Sequence, residues 1–116
     1  MGSLNFFRSK RDHSNPETRL AAVAAIADTA ELQDIGRNGR HTDVRLAACQ
    51  RIFDPRLIEP IAICDSSLVV RKALLDRVTK EDNLREIAMY DANDAHRAEA
   101  LAKITSQQVL IDIARV

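Results

Sequence analysis

Apolar residues recur along the chain at an interval of 26 residues, in several columns that keep one register. The columns are Ile26, Ile52, Val78 and Ile104; then Leu32, Ile58, Leu84 and Leu110; then Ile35, Ile61, Ile87 and Ile113. The same interval links a column of small residues and a column of arginines: Gly36, Ala62, Ala88 and Ala114, and Arg19, Arg45, Arg71 and Arg97. Five columns in one register predict four tandem copies of one structural unit.

Within each copy, apolar residues fall three or four positions apart, which is the spacing of one helical face. Asn15-Pro16 and Asp54-Pro55 predict helix starts, because each places a capping side chain before a proline at the first turn. Each copy is therefore predicted to be a helical hairpin with a longer first helix and a shorter second helix. The first helices are predicted near 16–27, 43–52, 67–78 and 94–103, and the second helices near 29–37, 55–63, 81–90 and 106–115.

A single hairpin of this size cannot bury its apolar faces, whereas stacked hairpins join those faces into one core. The predicted fold is all-α, a short right-handed α-solenoid of four two-helix repeats. The repeats are expected at about 15–40, 41–66, 67–92 and 93–116. They form one predicted domain, 15–116, after a flexible basic and aromatic lead-in at 1–14.

The order of features within a copy resembles the HEAT-like and armadillo-like repeats, and is most similar to the compact bacterial varieties. These features are an early arginine, small residues, an isoleucine, a turn with aspartate, and a helix reading Leu-x-x-Ile-Ala, over about residues 16–115. In such repeats a turn aspartate and the early arginine form a structural ladder. The resemblance implies ladder residues at Arg19, Arg45, Arg71, Arg97, Asp65 and Asp91, while His13 and Gly39 stand at the other two aspartate places.

The stretch from Asn5 to Ile26 is also similar to the opening of some large bacterial proteins in which repeats of this kind precede other segments. That likeness implies that the repeats are a module of a larger bacterial protein.

Charge and composition narrow the class of protein. The 17 basic residues balance the 17 acidic residues, so no overall field draws the chain to nucleic acid or to an anionic membrane. Aromatic residues make up only 3% of the chain within a hydrophobic content of 46%, which favours close-packed helices. No apolar run approaches the roughly 20 residues of a membrane span, and the N-terminus lacks a signal-peptide pattern. A cytoplasmic protein is expected.

No pattern of residues points to catalysis, a metal or a cofactor. His13, His41 and His96 fall in the N-terminal tail and in predicted turns without an HExxH motif, so they are expected to be solvated. Cys49 and Cys64 form no CxxC pair, and both are predicted to be small buried hydrophobic residues. With three glycines in the chain there is little material for a phosphate-binding loop. A non-enzymatic protein without a cofactor is expected.

A protein-interaction scaffold is the leading hypothesis for function, because stacked hairpins present an extended surface. Second helices usually line the concave side of such stacks, and their exposed positions form a strip of mixed charge suited to a protein or peptide partner. The predicted partner-binding residues are Gln33, Asp34, Arg56, Glu59, Arg85, Glu86 and Asp112.

Nucleic-acid binding is the alternative hypothesis. Arg51, Arg77 and Lys103 each follow a column arginine by six residues and form a second basic line on the first helices. The zero net charge and the small number of aromatic residues for base stacking favour a structural role for the arginines instead.

The N-terminal segment from Leu4 to Arg11 combines two phenylalanines with three net positive charges. It is either a membrane-surface or docking peptide, or a lead-in whose phenylalanines cover the open edge of the first repeat. The second interpretation is favoured because the segment is too short to anchor the chain.

The C-terminal segment from Ser106 to Val116 is apolar on nearly every side when drawn as a helix, with Ile111 at a position that is polar in the other copies. Helices of this kind are usually buried. This surface is therefore expected to be covered, either by further repeats or by a second copy of the chain in a homodimer.

Overall fold

The computed structural model describes residues 10–114, without the side chains of 109–113. From Pro16 onward the described chain is all-α, with seven α-helices, one short 3-10 helix and no strand. The helices are α1 (Pro16–Ala24), α2 (Thr29–Asn38), α3 (Thr42–Gln50), α4 (Pro55–Cys64), α5 (Leu68–Leu74), α6 (Glu81–Tyr90) and α7 (Asp94–Ala114), and the 3-10 helix (Leu75–Arg77) follows α5. The predicted all-α class is confirmed.

Local capping side chains explain where most of the helices begin. Asn15, Asp28 and Asp54 each accept a hydrogen bond from the backbone N–H two residues later, at 2.9 Å, 3.0 Å and 2.9 Å. Ser67 does the same at the start of α5, at 3.2 Å. Each bond satisfies an N–H group that the helix itself cannot pair. The helix starts predicted at Asn15-Pro16 and Asp54-Pro55 are both observed.

The region predicted as a fourth repeat differs from its prediction, because the two helices expected at 94–103 and 106–115 are one continuous helix, α7, of 21 residues. In the earlier copies an extended residue, Asp28, Asp54 or Lys80, breaks the chain between the two helices. Ser106 stands at that place in α7, and the preceding Thr105 donates its hydroxyl to the Leu101 carbonyl at 3.1 Å. This bond is compatible with an uninterrupted helix, and no proline or glycine nearby opposes it.

The helices pack in two layers along an elongated body with Cα extents of 59 × 27 × 19 Å. The first-helix layer consists of α1, α3 and α5, in which α3 contacts both neighbours. The second-helix layer consists of α2, α4 and α6, in which α4 contacts both neighbours. Short turns join the layers, so α2 packs on α3, α4 on α5 and α6 on α7.

The core lies between the layers and is built from the columns of the repeat. Ile35, Ile58, Leu84 and Ile87 are almost completely buried, as are Ile52 and Val78 of the first column. Full burial of each such side chain stabilises the fold by about 1.5–3 kcal/mol. The column of small residues allows close approach: a Cβ at Gly36 would lie 2.9 Å from Cys49 Sγ.

Within the described residues, no helix has the length and apolar character needed to cross a membrane.

Candidate functional site

A ladder of arginine–aspartate pairs joins first helices to the turns that follow the second helices of the same copies. Arg45 donates through Nε and Nη2 to the two carboxylate oxygens of Asp65, at 3.0 Å and 3.2 Å. Arg71 makes the same paired bonds to Asp91, at 2.8 Å and 3.3 Å. Such two-pronged pairs fix geometry as well as charge, because the planar guanidinium matches the carboxylate. Arg45 and Arg71 therefore each tie a first helix to the turn that ends its own hairpin.

The first rung has the same form with a displaced aspartate. Arg19 Nε and Nη2 donate to Asp43, at 2.9 Å and 2.8 Å, and Asp43 lies 24 residues ahead instead of the 20 seen at the other two rungs. The fourth arginine, Arg97, bonds instead to Asp94 within its own turn.

The partner of each arginine differs from the one implied by the sequence. Asp65 lies six residues before Arg71, but the Asp65 carboxylate binds Arg45. Arg71 donates instead to the main-chain carbonyl of Asp65, at 2.9 Å. The equivalent carbonyl of Gly39 accepts from Arg45 at 3.0 Å. A carbonyl is present in every residue, so the ladder does not need an aspartate at the places of His13 and Gly39.

The ladder shifts the acidity of two of its carboxylic acids. The hydrogen bond from Arg19 holds the pKa of Asp43 below its ordinary value. Burial alone raises the pKa of Asp91, but the bonds from Arg71 and from the Asn93 backbone outweigh it, so the net pKa is lowered. Both aspartates are therefore charged at neutral pH and attract their arginines fully.

The second basic line, predicted as a nucleic-acid surface, is also engaged in contacts between repeats. Arg51 donates to the Val23 carbonyl at the end of α1, at 2.7 Å. Arg77 donates to the Cys49 carbonyl at the end of α3, at 2.9 Å, and also to the Ile52 carbonyl. Lys103 Nζ lies 3.0 Å from the Asp76 carboxylate. Arg51 and Arg77 thus bond to carbonyls at the negative ends of helices in the preceding copy, whereas Lys103 pairs with a side-chain carboxylate there.

The residues predicted to bind a partner lie mainly on the second-helix layer. Asp34, Arg56, Arg85 and Glu86 are exposed, and Gln33 is half-buried. Arg56 pairs with its own capping residue Asp54 at 2.8 Å, and Arg85 approaches Glu81 at 3.6 Å. The side chain of Asp112 lies outside the described residues.

The prediction that Glu59 is exposed is wrong, because its exposed fraction is 5%. Its Oε1 accepts from the Lys80 backbone N–H at 3.2 Å and from Asn83 Nδ2 at 3.0 Å. Lys80 occupies the capping position of α6, and its side chain cannot accept a hydrogen bond. Glu59 of the preceding copy therefore caps α6 from outside, and this is a structural role.

Two shallow grooves on the second-helix layer are equivalent, one repeat apart. The first lies between α2 and α4 with a volume of about 270 Å³, and the second lies between α4 and α6 with a volume of about 210 Å³. The first is lined by Arg37, Asn38, Pro60, Ile61, Cys64 and Asp65, and the second by Ile63, Glu86, Ile87, Tyr90 and Asp91. Each residue of the second groove follows a residue of the first by 26 positions.

The cysteines and histidines lie in different environments from one another. Cys49 is buried, as predicted, and burial raises the pKa of its thiol to about 11. Cys64 is exposed in the first groove, which corrects the prediction that it is buried, because it ends a helix at the surface. Over residues 10–114, excluding the undescribed side chains, no cluster of three or more His, Cys, Asp or Glu side chains could hold a metal ion.

The prediction that His96 is solvated also needs correction, because its side chain is completely buried. Its Nε2 lies 3.8 Å from Asp91 Oδ2, and neither ring nitrogen has a hydrogen-bond partner in the described part of the chain. The sequence did contain a signal, because Val44 and Val70 occupy the equivalent places two repeats and one repeat earlier and are buried. The segment from Leu4 to Arg11 lies mostly outside the described residues.

No protein-family model, no curated protein and no solved structure matches this chain.

Proposed function

We propose that this chain is a non-catalytic interaction scaffold, in which stacked HEAT-like hairpins form a short α-solenoid and the second-helix layer binds a protein partner. The observation that carries the proposal is the pair of equivalent grooves on that layer. Because the groove recurs with the repeat, it offers a partner two equivalent binding positions, one helix apart. The proposal holds equally for the chain acting alone or as a module of a larger bacterial protein.

The two grooves differ in charge, and this difference suggests the chemistry of the partner. Arg37 lines the α2 side of the first groove and Glu86 the α6 side of the second, and both are exposed. Neighbouring helices pack about 8–10 Å apart, so α2 and α6 are roughly 16–20 Å apart, which an extended peptide covers in about five or six residues. We therefore expect a peptide with an acidic side chain beside Arg37 and a basic side chain about five or six residues away, beside Glu86.

The same layer offers apolar contact beside these charges. Met89 and Tyr90 at the end of α6 are among the large apolar side chains most exposed in the described chain. Aromatic residues and methionine are enriched in protein interfaces, where a large flat side chain gives area without much loss of conformational entropy. The second groove therefore combines Tyr90 with a carboxylate, a suitable contact for a basic or aromatic residue of the partner.

The alternative of nucleic-acid binding is less well supported. Its candidate residues Arg51, Arg77 and Lys103 contact carbonyls or a carboxylate of the preceding repeat. A phosphate would have to displace those contacts before it could bind. No other feature of the described chain favours this function.

Selection of peptides from a random library on the immobilised protein tests the proposal, because it needs no identified partner. Enriched peptides should lose most of their affinity, at least tenfold, for Glu86→Lys and for Arg37→Glu. The matched controls are Glu99→Lys on α7 and Lys72→Glu on α5, which carry the same charge changes at exposed positions away from the grooves. Enriched peptides that bind both groove variants as well as the wild type would contradict the proposal, and so would a selection without enrichment.

A further inference from the structure

The end of the stack beside α6 lacks one helix. Within the body, α3 lies between α2 and α4, and Gly36 of α2 is the place where the three meet: a Cβ there would lie 2.9 Å from Cys49 Sγ and 3.5 Å from Ile61 Cδ1. Leu101 of α7 is the counterpart of Cys49, two repeats later. Cys49 is fully buried, whereas Leu101 is 58% exposed. The missing cover of Leu101 is the counterpart of α4.

The ladder is open at the same end. Arg45 and Arg71 pair with aspartates that directly follow α4 and α6, the second helices of their own repeats. Arg97 instead bonds to Asp94 of its own turn, whose side chain is 92% exposed, and its Nε has no partner within the described residues. The absence of one second helix therefore explains two observations. Leu101 is exposed, and within the described residues Arg97 has no aspartate after a second helix to pair with.

The sequence that fits this vacant place is on the chain itself. Residues 106–115 continue the columns of the second helices, with Leu110, Ile113 and Ala114 in register with Ile58, Ile61 and Ala62. Because α7 runs straight, however, a rise of about 1.5 Å per residue puts Ala114 about 20 Å beyond Leu101. The segment therefore cannot cover the Leu101 of its own chain.

Two side-chain bonds accompany the uninterrupted form of α7. Thr105 donates to the Leu101 carbonyl, and Gln107 Nε2 donates to the Thr79 carbonyl at 3.2 Å. Folding back would break the backbone bonds around Ser106 together with the Gln107 contact. The segment is thus presented away from the body, next to a place on that body that its sequence fits.

We propose that the vacant place beside α6 is filled by residues 106–114 of a second copy, in a reciprocal exchange of the C-terminal half of α7. Such an exchange forms a closed two-fold dimer, because each chain gives the segment that the other needs. It buries Leu101 of both copies with the contacts that Cys49 already makes within one chain. An unrelated partner helix would need to match the same columns by chance.

Light scattering during size-exclusion chromatography, over a range of protein concentrations, tests the exchange. The wild type should be a dimer. Gln107→Pro should convert it to a monomer, because the proline breaks α7 at the place where Pro55 begins α4 and lets the segment fold back onto its own chain. Gln107→Ala is the matched control, which loses the Thr79 contact but keeps the helix straight, and it should remain a dimer. Leu101→Asp should also give a monomer, and circular dichroism checks that each variant is folded.

Cross-linking between two marked chains tests the same contact directly. One protein carries Leu101→Cys and the other Ile113→Cys plus a size tag, both with Cys64→Ser to remove the exposed thiol. Mild oxidation of the mixture should give the mixed disulfide dimer as the main product. A wild type that stays monomeric at all concentrations would overturn the proposal. A dimer that survives both Gln107→Pro and Leu101→Asp, or that gives no mixed disulfide, would overturn it as well.

Discussion

The ladder arginines of the first-helix layer and the exposed charged residues of the second-helix layer differ in burial and in hydrogen bonding. On the first-helix layer, Arg45 and Arg71 are largely buried and donate to carboxylates and carbonyls of neighbouring turns. On the second-helix layer, Arg85 pairs with the exposed Glu81 one turn away, and Glu86 is exposed at a groove. Arg45 and Arg71 replace their lost hydration with protein contacts, whereas Arg85 and Glu86 remain hydrated.

This difference separates residues that hold the stack together from residues available to a partner. An arginine in a ladder is conspicuous in sequence because it recurs, but recurrence follows from the repeated packing. The irregular charges of the second-helix layer, such as Arg37 in one groove and Glu86 in the other, are not required by the packing. They are therefore the better candidates for recognition.

The largest effect is expected for Arg71→Leu. It leaves the carboxylate of Asp91 buried without its arginine, and loss of one partner of a buried pair costs about 3–5 kcal/mol in the free energy of unfolding. Urea denaturation followed by circular dichroism measures the loss. Arg85→Leu makes the same change on the exposed layer and should shift the free energy far less. Equal losses for the two variants would remove the distinction between the layers.

A smaller effect is expected for Arg77→Leu. The change removes a cation from the Cys49 and Ile52 carbonyls near the end of α3, and hydrogen bonds to a charged group contribute about 1.5–3 kcal/mol each at most. Water reaches part of this site, so we expect the lower end of that range. Lys72→Leu, at an exposed position of α5, is the control and should change the unfolding midpoint little. If the two variants unfold at the same urea concentration, Arg77 does not stabilise the contact between repeats.

Acid should weaken the first-helix layer selectively. The pKa values of Asp43 and Asp91 are lowered in the folded chain, so their contribution is fully present above the unfolded value of about 4. That contribution is lost as pH falls through the lower folded pKa values. Urea midpoints measured from pH 7 down to pH 2.5 should fall below about pH 4, and Asp91→Asn should flatten this fall. A wild-type curve that is level across this range would contradict the role of the ladder.

The repeat interval was sufficient to predict the all-α class, most helix bounds and the buried columns. Buried positions require apolar residues, and the spacing of apolar residues is visible in the sequence. The interval could not predict how a repeat ends. Ser106 is a capable capping residue, yet α7 continues through it, since no neighbouring residue opposes a helix there. Whether the chain turns or continues as a straight helix depends on contacts with neighbouring elements. The periodicity of the sequence gives no information about those contacts.

The candidate site was less predictable for a related reason. Glu59 lies at an outward position of its own helix but is buried by the next copy, where it caps α6. Arg51 and Arg77 donate to carbonyls 28 residues earlier in the chain. Because every residue has a main-chain carbonyl, residue types do not reveal which one accepts the bond. Arg37 and Tyr90 became candidates only when the grooves between neighbouring helices were seen.

The smallest effect is expected for Arg85→Ala, a change at an exposed position of the second-helix layer. The pair with Glu81 is exposed and spans one helical turn, at 3.6 Å, so its loss should change the free energy of unfolding by about 0.3–0.5 kcal/mol. Salt screens such a pair, and 1 M sodium chloride should remove even this small difference between variant and wild type. The buried rung at Arg71 is largely shielded from solvent, so the difference between Arg71→Leu and wild type should persist in the same salt. Parallel urea titrations at low and high salt measure both differences. An Arg85→Ala loss above 1 kcal/mol, or a loss that salt does not reduce, would place Arg85 among the residues that hold the stack together and would remove it from the surface available to a partner.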